Sequence, residues 1–107
     1  MKTRIIEIIE QNYFDPDFDV NKLAEKLGIC RSYLNTRFHF DFGSSPHDYL
    51  ESVRIENAIK SLLEGDKIIE VCMKIGYANK KTFHVAFKKR FKMTPKEFVK
   101  KSKGTKL

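Results

Sequence analysis

Apolar residues recur at helical spacing along the whole chain, and no window alternates with period two, so the pattern predicts an all-α fold of seven helices. Ile5, Ile6, Ile8, Ile9 and Tyr13 line one face of a first helix, with Thr3 as its expected cap and Asp15-Pro16-Asp17 as its stop. Asp19 is placed to cap a second, short helix from Val20 to Leu27, which Gly28 ends by permitting a left-handed turn. A third helix, Arg31 to Phe40, buries Leu34 and Phe38 one turn apart.

Ser45-Pro46-His47-Asp48 is a strong helix start: a hydroxyl cap, proline at the first helical position and an acid near the positive end of the dipole. The fourth helix it opens extends to Glu64, with apolar residues from Tyr49 to Leu63 spread around much of its circumference. Such a helix has neighbours on more than one side. A fifth runs from Ile68 to Ile75, opened by Asp66 or Lys67 and closed by Gly76. A sixth spans Lys80 to Phe91, with Phe83, Phe87 and Phe91 as its buried ridge. Thr94-Pro95-Lys96-Glu97 repeats the cap signature for a seventh through Lys101, and Ser102 to Leu107 read as a frayed basic tail.

The same passage occurs twice. RFHFDFGSSPHDYL (Arg37–Leu50) returns 49 residues later as AFKKRFKMTPKEFV (Ala86–Val99), pairing Phe38 with Phe87, Phe42 with Phe91, Pro46 with Pro95 and Tyr49 with Phe98. Upstream, Val20, Leu23, Ala24, Leu27 and Gly28 match Ile68, Val71, Cys72, Ile75 and Gly76, with one extra residue in the second turn. Each copy is a short helix, a glycine turn and a second helix seated by a large apolar residue: Ala24, Gly28, Leu34, then Cys72, Gly76, Phe83. A helix-turn-helix needs this arrangement, because a small residue lets the helices cross closely while the second helix protrudes. One such pattern is weak evidence; two in register are strong. The boundaries this predicts are 1–45 for a first unit, 46–64 for a linker helix and 65–107 for a second unit with its tail.

LAEKLGICRSYLNTRF, YLESVRIENAIKSLL and IIEVCMKIGYANKKTFHVAFKKRFKMTPKEF together resemble the C-terminal DNA-binding domain of the AraC/XylS family of bacterial transcription regulators, over nearly the whole chain. Two positions depart from the family pattern: Cys30 stands where a small hydroxyl residue usually caps the first recognition helix, and Lys92 replaces the usual glycine before the last helix. The resemblance implies two recognition helices in successive major grooves of double-stranded DNA, held by a rigid linker. It also implies a transcription activator that touches RNA polymerase. Most members carry a fused N-terminal sensing, dimerising or receiver domain and a few do not; VRIENAIKSLL leans towards the receiver-linked kind. A helix from Pro46 to Glu64 is about 28 Å long against a groove repeat of about 34 Å, so binding is expected to bend the DNA or seat one unit loosely.

The face of the third helix opposite Leu34 and Phe38 carries Arg31, Ser32, Asn35, Thr36 and His39. Asn35 suits a bidentate pair with adenine, Thr36 a thymine methyl, and Arg31 a guanine or a phosphate. On the sixth helix the outward set is Lys80, Lys81, Thr82, His84, Val85 and Lys88. By position, Ser32, Asn35, Thr36, Lys81, Thr82 and Val85 match base-facing places of the family motif. His39, Lys80, His84, Lys88 and Lys89 are expected phosphate contacts, which add affinity without sequence information. Considered alone, without the resemblance, the outward face of the third helix reads more readily as solvated helix surface.

Charge supports a polyanionic partner. The net +7 is uneven: residues 1–50 sum to −2 and residues 51–107 to +9, and from Lys80 onward 11 basic residues face one acid, Glu97. Binding of nucleic acid without sequence preference and a protein-interaction module remain alternatives; the polar readers of the acidic first half argue against a purely non-specific coat. Nine phenylalanines would serve as single-strand stacking platforms only if exposed, and Phe38, Phe42, Phe83, Phe87 and Phe91 keep core spacing. No His or Cys ligand set, phosphate loop or calcium loop occurs, so neither enzyme activity nor a metal is expected. Cys30 and Cys72 read as free thiols, and no apolar run spans a membrane or forms a signal peptide, which predicts a cytoplasmic protein.

Overall fold

The computed structural model describes residues 2–105, with side chains described as far as Ser102. Seven helices follow in order: α1 (Lys2–Asn12), α2 (Val20–Leu27), α3 (Arg31–Phe42), α4 (Pro46–Leu63), α5 (Ile68–Lys74), α6 (Lys80–Phe91) and α7 (Pro95–Thr105), with no strand among the described residues. Three local expectations are corrected. Thr3 lies inside α1, which begins at Lys2, and so does not cap it. α3 continues past Phe40 to Phe42, because Gly43, at φ 72°, is the first residue free to turn left-handed. α7 runs to Thr105, where Ser102 to Leu107 had read as a frayed tail; Lys106 and Leu107 lie outside the described residues.

Two apolar clusters form the interior. Ile5, Ile8, Ile9, Phe18, Val20, Leu23, Ala24, Leu34, Phe38 and Leu50 make the first; Ile55, Ala58, Leu62, Val71, Cys72, Ile75, Tyr77, Phe83, Ala86 and Phe87 make the second. No residue belongs to both. α4 serves each in turn, with Leu50 on one side and Ile55, Ala58 and Leu62 on the other, as its wide apolar circumference requires. The molecule that results is elongated, 48 × 24 × 22 Å.

The sequence repeat is a structural one, and its signature is a trio of rings. Phe38 stacks on Phe42 at 4.3 Å between centroids while Tyr49 meets Phe38 edge-on at 5.4 Å. In the second copy Phe87 lies 4.9 Å from Phe91, and Phe98 meets Phe87 edge-on at 5.5 Å. Each trio fastens the end of one helix, α3 or α6, to the start of the next, and the first helical proline beside it, Pro46 or Pro95, is fully buried. Phe38, Phe83 and Phe87 have no exposed surface, so truncating any one to alanine costs about 3–5 kcal/mol.

Candidate functional site

α3 and α6 are positioned by their turns. α2 ends at Gly28, φ 71°, where the amides of Gly28 and Ile29 return to the carbonyls of Glu25 and Ala24. After two further residues α3 begins. Its N-cap, Cys30, has the extended backbone of a capping residue but makes no side-chain bond. α6 is better started: Asn79 Oδ1 accepts both the Thr82 amide and the Thr82 hydroxyl, each at 2.9 Å. That cap was missed in the sequence, although an asparagine directly before the helical pattern at Lys80 is a recognisable signal.

On α3, Ser32, Asn35, Thr36 and His39 are exposed as expected, opposite the buried Leu34 and Phe38. Thr36 donates its hydroxyl to the Ser32 carbonyl at 3.2 Å. Arg31 is exposed but turned back onto α2, donating to Asn21 Oδ1 at 3.0 Å; contacting a base requires that bond to be exchanged. Beside this face Phe40 is 83% exposed under the Arg37 guanidinium, which also pairs with Asp41.

On α6, Lys80, Lys81, Thr82, Val85, Lys88 and Lys89 are exposed, with Val85 at 63%. The Thr82 hydroxyl donates its proton to Asn79 Oδ1 and so is not a free donor. His84 departs from the expected outward set. It is half-buried, its ring meets Phe83 edge-on at 6.1 Å, and its Nε2 is buried without a hydrogen-bond partner. The periodicity misplaces it because the residue sits at the margin of the buried face, between Phe83 and Val85.

The electrostatics of α6 and α7 are one-sided. Glu97, the lone acid after Lys80, is folded into the α7 cap: its Oε1 accepts the Thr94 amide at 3.2 Å and the Thr94 hydroxyl at 3.0 Å, and its own amide returns to Thr94 Oγ1. These bonds, the backbone one foremost, hold its carboxyl below the ordinary glutamate range. Lys80, Lys81, Lys88, Lys89, Lys96 and Lys100 are all exposed to solvent. Among the described residues no group of His, Cys, Asp or Glu could hold a metal, and no helix is long and apolar enough to cross a membrane. Both thiols are free, Cys30 exposed and Cys72 buried.

The chain matches a family model described as "Helix-turn-helix domain" over residues 23–101. It is 37% identical over 90 residues to a helix-turn-helix-type transcriptional regulator from the cgkA 5′ region of Pseudoalteromonas carrageenovora, covering 84% of this chain and 53% of that protein. The chain thus spans about half the length of that relative. Among solved structures, the C-terminal domain of the two-component response regulator yesN from Fusobacterium nucleatum superposes with a TM-score of 0.88 at 35% identity, covering 92% of this chain and 96% of that one. The DNA-binding domain of the global transcriptional factor AdpA, solved in complex with a target DNA, shares the fold at a TM-score of 0.88 and 20% identity, over 96% of this chain and 93% of that one. On the match to the family model and the 35% identity to a solved response-regulator domain, the chain belongs to the AraC-type helix-turn-helix family of transcription-regulator DNA-binding domains.

Proposed function

We propose that the chain reads double-stranded DNA sequence-specifically, with α3 and α6 in successive major grooves on one side of the duplex and residues 46–64 as the link between units 1–45 and 65–107. The observation that carries this is the pair of helices α3 and α6 with exposed outer faces. They rest on matching aromatic trios yet expose unlike outward residues, so the scaffold is duplicated while the readers differ. AdpA, the same fold, was solved on a target DNA, which supports the class of partner.

In this proposal Ser32, Asn35 and Thr36 take base edges from α3, with Arg31 joining once released from Asn21. Lys81, Thr82 and Val85 do so from α6, the last two through methyl groups that suit thymine. His39, Lys80, Lys88 and Lys89 bind phosphates. His84 is withdrawn from that list because its Nε2 is buried.

Selection from a random duplex library at two salt concentrations tests this. The expected result is an enriched motif of two half-sites about one helical turn apart. A steep salt slope with no enriched motif would mean sequence-blind binding, and no binding at all would leave a protein-interaction module.

The family resemblance further supports a cytoplasmic activator that also contacts RNA polymerase, joined to an N-terminal sensing or receiver domain. A reporter with the selected site upstream of a weak promoter checks the first point; increased transcription is expected, and repression would overturn it.

A further inference from the structure

Arg54 sits on α4 where one core cluster gives way to the other. Its guanidinium spreads over three backbone carbonyls of the α1–α2 connection: Nε donates to that of Tyr13 at 2.8 Å, and Nη2 to those of Phe18 at 2.9 Å and Asp15 at 3.1 Å. These partners are 36 to 41 residues upstream. The same guanidinium lies 5.7 Å from the centroid of the Tyr77 ring, in the α5–α6 turn. Next to Tyr77, Gly76 has φ 91°, and a Cβ there would run into the Tyr13 carbonyl and come within 2.8 Å of Arg54 Nε. A loop of the first half, the middle of α4 and a turn of the second half therefore meet at one side chain, with no room for another.

This junction matters because the two clusters share no residue. A continuous helix fixes the distance between the halves and each half packs its own cluster on it, so contacts that join the halves directly add to the resistance against rolling about that helix. Besides the Arg54 junction, one further hydrogen bond ties α6 to the first turn of α4, from Arg90 Nη2 to the Asp48 carbonyl, and it is long (3.3 Å) and exposed. Arg54 is charge-assisted, forked and half-buried, and a fork of fixed geometry constrains rotation where a single ammonium does not.

We propose that Arg54, seated against Gly76 and Tyr77, is a positioning residue that sets the rotation of α3 relative to α6 and so the half-site spacing the protein accepts. The rotational part stands on geometry alone; the spacing part rests on the proposed DNA reading.

The test uses two nitroxide labels, one on the exposed native Cys30 and one on Lys81→Cys, with the buried Cys72 left in place. In the parent chain a single narrow distance distribution is expected. Arg54→Met and the milder Arg54→Lys should both broaden it while helicity is retained, since lysine keeps the charge without the fork. A distribution unchanged in the lysine variant overturns the proposal.

On the duplex selected by the parent, the variants should bind each isolated half-site as the parent does and lose about 10–100-fold on the full site. They should also lose much of the parent's penalty for one inserted base pair, which turns a half-site by about 35°. Equal losses on half and full sites would make Arg54 a fold support rather than a positioning residue. Should the parent select no duplex, the DNA reading fails and the distance distributions still decide the rotational claim.

Discussion

Asn35 and Lys88 both stand exposed, on α3 and α6, and they should fail differently when truncated. Asn35→Ala is expected to relax preference at one base pair, with discrimination falling by about 1–3 kcal/mol there. Lys88→Ala should weaken binding to every sequence alike and flatten the slope of log affinity against log salt by about one. Competition assays on specific and random duplexes separate the two, and an Asn35→Ala loss equal on both would remove its assigned role. Tyr77 offers a test within the fold. Its hydroxyl is buried without a partner, so Tyr77→Phe should raise stability at neutral pH by about 1 kcal/mol in chemical denaturation. Burial, with Glu51 nearby, pushes the Tyr77 phenol up to about 12 from an ordinary 10. With the folded pKa above the unfolded one, the unfolded chain loses its phenol proton first as pH rises from 10 towards 12, so stability should fall across that window and Tyr77→Phe should lack that fall. At this scale the outward faces were legible from spacing alone, with His84 the exception. The engagement of Arg31 by Asn21 was not, because a flexible arginine's partner on another helix leaves no periodic trace.

Helix starts show how far local chemistry carries. The Ser45 and Thr94 caps are formed as their motifs predict, with Ser45 Oγ accepting the Asp48 amide at 3.1 Å and Thr94 Oγ1 the Glu97 amide at 3.2 Å. Cys30 occupies the corresponding place before α3 with φ −79° and ψ 158° and no side-chain bond. Cys30→Ser should therefore supply the missing acceptor and stabilise the chain by about 1 kcal/mol, read as a rise in thermal midpoint; no change would show that the serine does not reach an α3 amide. Lys92 is the converse case, a side chain held at φ 62° in place of glycine, carrying left-handed strain of about 1–2 kcal/mol to close α6. All seven helices were readable from their apolar period, even where the start signal was misread, as at Thr3, or missed, as at Asn79. The extent of α3 was misjudged since Phe40, apolar by composition, points into solvent, and the true end depended on Gly43.

For the molecule as a whole, α4 has 18 residues and is about 27 Å long, shorter than the groove repeat of about 34 Å. In the proposed complex, with the halves held at Arg54, the mismatch is expected to fall on the DNA rather than on a loosely seated unit. Gel shifts of circularly permuted fragments should therefore show a bend in the parent complex and a smaller one with Arg54→Lys; protection of both grooves without any bend would refute this. The repeated aromatic passage was plain in the sequence, whereas the Arg54 junction was invisible. Its acceptors are main-chain carbonyls, which every residue possesses, and nothing in a lone arginine on a linker helix names them. The one-sided charge of α6 and α7 adds a matter of timing. A polyanion draws in the lysine-rich half from a distance, while the first half, net negative, gains nothing until its side chains are within bonding range. If the chain reads DNA as proposed, encounter falls to the second half and interrogation to the first, which decides whether the complex stays.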